Sequence, residues 1–505
     1  MFSESSSKRR GSSPPGKRHG ANGYGKTDRN RMHRAAWQSS TQWWSTLHSM
    51  IDEEMSPTAD VDDAGLAMRF YELATGDEDA RLCRDIPEDQ CREQPRSFLY
   101  QIVAQTLSKT GDVIADTKVV LPWLMGAVGA PTYLIALLVP IRESLALIPQ
   151  ILVGSVIRRF PVRKAFWTIS SVVEGLCIVL MGLATAMGLG GAVAGWTIVG
   201  LLVVFSLARG VASIAAKDIL GKTVSKGRRG RVSGYAATGS GLIATAVGLY
   251  LALSPEHARP EWLLYAMIMA AGLCWFLAAA SFSMITEYPG ATEDGRGIRD
   301  LVQDQMRLLM KDPELQKFLV ARTLMISTAL VGPIYVTLAQ RTTGQTLDGL
   351  GWLVIASGLA GAVSSSFWGI LSDRSSRLTM AAASGLAGAL GLGVLIVIHI
   401  VPRLADGIAF FAAVLFVLGI AHAGVRIGRK THVVDLAGGD RKAEYVALSN
   451  TIIGVLLLVI GGLVSILLSF GLEVGLAVLS VLAILGAATA FTMKDVQDSG
   501  AGSEH

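Results

Sequence analysis

Twelve apolar stretches alternate with short polar loops between residues 100 and 492. Each stretch is about 20 residues long, the length of helix that crosses the roughly 30 Å hydrocarbon core of a bilayer. The pattern predicts an all-α polytopic membrane protein of about twelve transmembrane helices. Spans one to six are predicted at 100–125, 133–157, 165–188, 195–217, 232–253 and 262–285, and spans seven to twelve at 317–339, 349–371, 378–400, 408–429, 446–469 and 472–492.

Polar segments divide this pattern into five parts. We expect a cytoplasmic and largely disordered tail over 1–97, because its first third is rich in Ser, Gly, Lys and Arg. Six-helix halves follow at 98–285 and 317–492, with a short cytoplasmic tail at 493–505. The linker at 286–316 contains Leu301, Met306, Leu308 and Leu309 among charged residues, a spacing that predicts an amphipathic helix on the membrane surface.

Composition excludes most other classes of protein. A chain with 51% hydrophobic residues, 17% charged residues and 55 glycines does not describe a set of soluble domains. The four cysteines lack the spacing of a disulfide framework or a metal site. The sequence also lacks a phosphate-binding Gly-rich loop, an HExxH pair and a nucleophile elbow. We therefore predict no enzymatic activity, no cofactor, no metal and no nucleic-acid partner.

The basic residues predict the orientation in the membrane. The loops after spans two, four, eight and ten, with the adjoining helix ends, carry seventeen Lys and Arg residues, whereas the loops on the other side carry only Arg259, Arg341 and Arg403. Basic loops face the cytoplasm. We expect a plasma membrane protein, in a bacterium the inner membrane, with both termini in the cytoplasm and the basic tail against anionic lipid.

Two basic loops recur at nearly the same offset, which indicates an internal duplication. Gly154 and Gly369 lie 215 residues apart, and the pairs Lys217–Lys430 and Arg228–Arg441 are each 213 apart. The spacing favours two related six-helix repeats. The residues of these loops that we predict to act as cytoplasmic gates are Gly154, Arg159, Arg163, Gly369, Asp373, Arg374 and Arg377.

In these loops the sequence resembles the major facilitator superfamily, over roughly residues 98–492. The family motif, in the loop between the second and third helices of each half, runs Gly, three residues, an acid, Arg, one residue, Gly and then basic residues. GILSDRSSR keeps Gly369, Asp373 and Arg374 but has Ser376 in place of the second glycine, and GSVIRRFPVRK has Arg158 in place of the acid. Arg209 with Gly210 resembles the family's intramembrane arginine motif. The glycine–proline signature of drug/proton antiporters is missing from span five, which disfavours drug efflux.

Charged residues inside the spans are the candidate functional residues, because a charge at a helix centre costs about 2.5 to 3.5 kcal/mol on insertion scales. In span one, Gln105, Lys109, Asp112 and Asp116 are spaced for a single helical face. One interpretation is a cavity wall that offers carboxylates to a proton or a cationic group. The alternative is that residues 98–118 form an interfacial helix and that spans one and two are shifted.

Span two places Arg142 and Glu143 between Pro140 and Pro149. Arg142 is a candidate for binding an anionic group and Glu143 for its counter-ion or a proton carrier; the alternative is a structural pair that neutralises itself. The other candidates are Glu174 and Arg209, His422 and Arg426 on one face of span ten, and Arg322, which is near enough to the end of span seven to extend to the surface.

These features favour a secondary active transporter that moves a small anionic or zwitterionic solute by alternating access, with a proton or other cation as a possible co-transported partner. Such a bundle can enclose a pathway as a monomer. The alternative is a non-transporting membrane sensor or assembly protein that uses its tail to hold a partner. A lipid-modifying enzyme ranks third, since only His422, Asp112 and Asp116 support it.

Overall fold

The computed structural model of the chain describes residues 67–72, 74, 92–292, 298–344, 346–438 and 441–497. The predictions for most of the N-terminal tail and for the end of the C-terminal tail lie outside the described residues. The first half contains α1 Gln94–Ile114, α2 Val120–Ala127, α3 Thr132–Leu147, α4 Gln150–Ile157, α5 Lys164–Ala186, α6 Gly191–Thr223, α7 Lys226–Leu253 and α8 Trp262–Ser283. The rest contains α9 Ile298–Lys311, α10 Pro313–Leu324, α11 Ser327–Leu330, α12 Gly332–Thr343, α13 Leu347–Arg374, α14 Ser376–Ile400, α15 Ile408–Ala437, α16 Lys442–Leu467 and α17 Leu472–Phe491.

Within the described ranges, ten helices or continuous helical segments are long and apolar enough to cross a membrane. They correspond to spans three to twelve. Spans one and two do not meet this measure: the 21-residue helix α1 carries too many polar residues and is followed by the short helix α2, and span two is divided into the shorter helices α3 and α4. The all-α membrane fold is therefore confirmed, and the full count of twelve rests on these two divided spans.

Three spans are interrupted, and the sequence explains part of the pattern. Pro149 separates α3 from α4, since proline lacks the N–H that would continue the helix. In span one the break lies at 115–119, where the Asp116 carboxylate accepts hydrogen bonds from the N–H groups of Lys118 and Val119. In span seven Pro333 begins α12 after the short helix α11. Non-helical backbone at membrane depth is tolerated where it is enclosed by protein or lines a cavity.

Helix pairing in the first half is repeated in the second. The span-three helix α5 packs against α6 and α8, and its counterpart in span nine, α14, packs against α15 and α17. Span two packs on span four, as span eight packs on span ten. The two halves meet where span two contacts span eleven and span five contacts span eight. This arrangement is that of two related repeats, in which the count of six spans for the first repeat includes the divided spans one and two.

The contact between the halves is closer at one end of the bundle. We call the end that carries the loops after spans two, four, eight and ten the basic end. At the opposite end, Gln340 donates to the Trp123 carbonyl at 2.9 Å and Ser465 to the Tyr133 carbonyl at 2.7 Å, while Arg259 pairs with Asp348 at 3.2 Å. Toward the basic end, among the described residues, Asn450 of one half donates to the Gln150 side-chain oxygen of the other. At 3.5 Å this hydrogen bond is long.

The linker contains the predicted amphipathic helix, as α9. Its apolar side chains Leu308 and Leu309 pack against the core of the bundle. Met306 and Met310 on the same helix are exposed, at 47% and 75%. A helix with this distribution of apolar side chains lies along a surface rather than across a membrane.

Candidate translocation site

An array of four charged side chains joins spans one to four inside the first half. The Asp112 carboxylate accepts from both Arg142, at 2.9 Å, and Arg209. Arg209 also pairs with Glu174 at 3.2 Å and donates to the Ser108 hydroxyl at 2.9 Å. The charges alternate in sign along the array, so each guanidinium has at least one carboxylate partner.

Close helix packing and aromatic contacts hold this array in place. Gly111, one residue before Asp112, lies against the Trp275 ring, where a Cβ would come within 2.5 Å of a ring carbon. Trp275 packs edge-on against Phe205, and the Arg142 guanidinium lies 4.9 Å from the centre of the Phe205 ring. Gly111 lets α1 approach span six, and the Phe205 ring supplies a cation–π contact that orients Arg142.

Glu174 is the most enclosed member of the array. Its side chain has no exposed surface, and its Oε1 atom is buried without a hydrogen-bond partner among the described residues. An ionised carboxylate with one unpaired oxygen in such a place is costly, and uptake of a proton would remove that cost. Glu174 is therefore the carboxylate in this array with the strongest physical reason to bind a proton.

A second polar cluster lies where the breaks in spans one and seven meet the other half. Lys118, from the break in span one, donates to His422 Nε2 at 3.2 Å and lies 3.6 Å from Glu143. The His422 Nδ1 atom is 3.2 Å from the Thr328 hydroxyl, which donates to the Met325 carbonyl at 2.9 Å. Because lysine can only donate, His422 is neutral here with its proton on Nδ1.

Arg322 lies deeper than the sequence indicates. Its residue exposure is 6%, and it donates to the Ser449 hydroxyl and, at 2.9 Å, to the Asn450 side-chain oxygen. The expectation that Arg322 could extend to the membrane surface is therefore wrong, since its guanidinium is directed at span eleven. The other predicted arginine of this half, Arg426, is exposed.

The structure changes three further details of the predicted site. The face predicted for span one ends with α1 at Ile114, so Asp116 leaves that face and accepts from the N–H groups of Lys118 and Val119, just before α2. Lys109 belongs to the face but donates to the Ser233 carbonyl at 3.1 Å. The helix packs against spans five and six, which argues against the interfacial alternative.

Arg142 and Glu143 form ion pairs with different partners. Arg142 pairs with Asp112, whereas Glu143 lies beside Lys118. Consecutive residues of a helix point in different directions, and this divides the two side chains between the two clusters. The two side chains therefore have separate ion-pair partners, while the charge of Arg142 still acts on the Glu143 carboxylate.

Two of the predicted gating residues form matching clasps at the basic end. Arg163 is buried and pairs with Asp218, and its backbone N–H donates to Glu287 at 2.8 Å. Arg377 pairs with Asp495 at 3.0 Å. Each clasp ties the loop after span two or eight to the segment that follows the last span of the same half.

The Asp495 clasp has a defined electrostatic character. Burial raises the pKa of the Asp495 carboxyl, but hydrogen bonds from the Ser375 hydroxyl, at 2.6 Å, and from Arg377 outweigh burial and hold the pKa below its ordinary value. The other predicted gating residues are not brought into these clasps. Arg159, Asp373 and Arg374 are exposed, and Gly154 and Gly369 have open space where a Cβ would point.

Lys118, Thr328 and Asn450 were not among the residues predicted from the sequence. The signal for Lys118 was available, because it is a charge inside an apolar span, but its pairing with a histidine 304 positions away was not. Ser, Thr and Asn residues are common in membrane helices and gave no local signal. Searching the described part of the chain finds no group of His, Cys, Asp and Glu side chains able to hold a metal ion.

The fold, with its long apolar helices, is that of an integral membrane protein. Residues 317–504 match the family model of the Major Facilitator Superfamily. A search of curated proteins finds no match to the chain. The match to the second half and the fold of the whole bundle confirm the resemblance seen in the loop motifs: this is a chain with the fold of major facilitator superfamily transporters, and its second half carries the family's sequence pattern.

Solved transporter structures share this fold at low sequence identity. A POT family transporter in complex with 5-aminolevulinic acid aligns with a TM-score of 0.61 and 9% identity, over 78% of this chain and 95% of that one. The nucleoside transporter NupG aligns at 0.58 and 12% identity, over 79% and 98%. A D-xylose–proton symporter aligns at 0.55 and 13% identity, over 79% and 98%.

Proposed function

We propose that this protein is a proton-coupled secondary transporter that moves a small anionic or zwitterionic solute by alternating access. The observation that carries the proposal is the buried array of Asp112, Arg142, Arg209 and Glu174. Charges in membrane helices are retained mainly where they act on ions, protons or substrates. This array offers a carboxylate with an unpaired oxygen beside an arginine that a proton would partly release.

The coupling step follows from the geometry of Arg209. When Glu174 is ionised, Arg209 is held between Glu174 and Asp112; a proton on Glu174 weakens one of these bonds and leaves Asp112 as the main partner. Arg209 lies on span four and Asp112 on span one, so a change of partner would shift spans relative to each other. A proton gradient could thereby bias the conformation of the bundle.

The proposed orientation places the basic end in the cytoplasm. With the halves joined more closely at the opposite end, the conformation described here faces the cytoplasm. The solved neighbours transport or bind small molecules, among them 5-aminolevulinic acid and D-xylose with a proton. They guide the choice of solutes to test.

The test is solute-dependent proton flux in liposomes that contain the purified full chain and a pH-sensitive dye. Pools of amino acids, short peptides, organic acids, nucleosides and sugars are added under an imposed proton gradient. We expect flux with an anionic or zwitterionic pool, reduced about tenfold or more, equivalent to about 1.4 kcal/mol, in Asp112→Asn and Glu174→Gln. The control Asp406→Asn removes an exposed carboxylate from the loop after span nine and should keep wild-type flux.

The alternative function, a sensor, has one observation in its favour. Tyr71, which precedes the bundle, is buried, and its ring lies 4.8 Å from the Arg228 guanidinium at the start of span five. A tail docked in this way could report a bound partner. Deleting residues 1–66 should leave flux intact in a transporter. If the full chain shows no solute flux, and whatever activity it has is lost on this deletion, the sensor is favoured.

A further inference from the structure

The two halves differ in the balance of charge within their spans. The spans of the first half contain four acidic side chains and, apart from Lys217 at the end of span four, four basic ones: Asp112, Asp116, Glu143 and Glu174 against Lys109, Lys118, Arg142 and Arg209. Apart from Lys317 at the start of span seven, the second half has Arg322, Arg426 and Arg429 inside its spans. Its one acidic span residue, Glu473, lies at the opposite end beside His399. The second half therefore carries a surplus of positive charge in the membrane.

Arg322 has the contacts of an incomplete anion site. Its two terminal nitrogens bond the neutral oxygens of Ser449 and Asn450, and its Nε atom is buried without a hydrogen-bond partner among the described residues. The charge that acts on its guanidinium is the like charge of Arg429. Among the described residues no carboxylate acts on Arg322, and an arginine that is 94% buried in this way is costly unless an anion balances its charge.

Arg429 adds to the same surplus. It is acted on by the like charge of Arg426 and by the opposite charge of Glu143. Glu143 also serves Lys118, at 3.6 Å, so a single carboxylate is shared between two cations from different halves. The centre of the bundle thus has more cationic groups than carboxylates to balance them.

The cationic groups border the seam between the halves. Asn450, a partner of Arg322, reaches Gln150 of span two at 3.5 Å, and Lys118 of span one reaches His422 of span ten at 3.2 Å. A solute held here would touch both halves. This is the placement that alternating access requires of a substrate site.

We propose that Arg322, Arg429 and Lys118 form a binding site for an oxyanion, the carboxylate, phosphate or sulfate group of the transported solute, between the two halves. The proposal rests on the proposed transport function and assigns to it the group of the solute that is recognised. The first-half array then serves coupling, and the second half supplies the charge that attracts the solute.

The test is the thermal unfolding of the purified full chain in detergent, titrated with inorganic phosphate, sulfate and acetate, with chloride at equal ionic strength as the reference. We expect at least one oxyanion to raise the unfolding temperature more than chloride does. In Arg322→Gln the apparent affinity should fall at least about tenfold, since a charge-assisted contact is lost. Arg403→Gln, an exposed arginine in the loop after span nine, is the matched control and should respond as the wild type does.

A structural role for Arg322 predicts a different result. If Arg322 only ties span seven to span eleven, Arg322→Gln would unfold at a lower temperature without anion and show the wild-type dependence on anion concentration. Arg429→Gln, whose arginine lacks those two hydrogen bonds, decides the matter if Arg322→Gln fails to fold. An unchanged response in the variants that fold, or no response in the wild type, overturns the proposal.

Because binding needs no gradient, anion binding without flux would refute the transport function and retain this site.

Discussion

At the scale of single residues, two carboxylates in the membrane are each shared between basic side chains. Asp112 serves two arginines, and Glu143 serves cations from both halves. In each case one carboxylate balances two basic groups that come from different helices. A change at one such carboxylate therefore affects several spans at once, which is the property expected of a residue that couples ion binding to helix movement.

The pH dependence of stability offers a test at this scale. Asp495→Asn should be less stable than the wild type near neutral pH and equally stable in strong acid. The folded pKa of Asp495 is depressed, so its stabilisation is complete above the pKa of an unfolded Asp, about 4, and is lost as the pH falls through the lower folded value. Thermal unfolding in detergent at a series of pH values measures the difference.

The control for this measurement is Asp406→Asn, which changes an exposed aspartate in the loop after span nine and should match the wild type at every pH. A difference between Asp495→Asn and the wild type that stays constant into strong acid would contradict the electrostatic explanation of the clasp. It would mean that the carboxylate acts through packing alone.

Individual candidate residues could be predicted from the sequence, but their partners could not. The cost of a charge in the membrane identified Asp112, Arg142, Glu174 and Arg209 without any structure, and all four meet in one array. The same rule left open whether Arg142 and Glu143 act as a pair, and the structure gives them separate ion-pair partners because neighbours in sequence point apart on a helix. Lys118 with His422 required knowledge of how the two halves are placed.

At the scale of helices, apolar length predicted the spans closely. Span three was predicted at 165–188 and α5 runs Lys164–Ala186; span nine was predicted at 378–400 and α14 runs Ser376–Ile400. The breaks were harder to predict. Pro149 marks one of them. The break at 115–119 depends on hydrogen bonds from the Lys118 and Val119 N–H groups to the Asp116 carboxylate, and in the sequence Asp116 resembles an ordinary residue within a helix.

A close glycine contact between spans five and eight gives a prediction at the scale of helices. At Gly351 in span eight, a Cβ would lie 2.5 Å from the Ala252 backbone nitrogen and 2.8 Å from the Leu251 carbonyl carbon of span five. Backbone atoms cannot rotate aside, so Gly351→Ala should force the halves apart at the opposite end and destabilise this conformation by about 1 to 3 kcal/mol. A fall in the thermal unfolding temperature measures the loss.

The matched control lies in the same helix. Gly358 has open space where a Cβ would point, so Gly358→Ala should leave stability unchanged or raise it, since alanine favours helix by about 1 kcal/mol. Equal effects of the two substitutions would show that helix propensity, and not the contact between the halves, determines the result at Gly351.

At the scale of the whole molecule, repeated pairing of helices yields two halves that meet along two seams, between spans two and eleven and between spans five and eight. The cluster of Lys118 and His422 lies between the halves, and the array of Asp112, Arg142, Arg209 and Glu174 lies inside the first half. Two internally well-packed halves with a polar centre can move as bodies about that centre, which is the physical requirement for alternating access.

The central claim is tested most directly by measuring distances at both ends of the bundle in one set of samples. Spin labels are attached to cysteines that replace Met187 and Leu404 at the opposite end, or Phe160 and Ile370 at the basic end. All four positions are exposed, at 72%, 58%, 41% and 64%. The four native cysteines are replaced first. Double electron–electron resonance in lipid nanodiscs measures the distance between the two labels in mildly acidic and in mildly alkaline buffer, with Glu174→Gln as the control.

We expect two distance populations at each end, with pH shifting the ends in opposite directions: as the pair at one end separates, the pair at the other approaches. Glu174→Gln should keep both populations but lose their dependence on pH. A single fixed distance at each end under every condition would contradict alternating access, and a shift at both ends in the same direction would contradict rocking of the two halves about a central site.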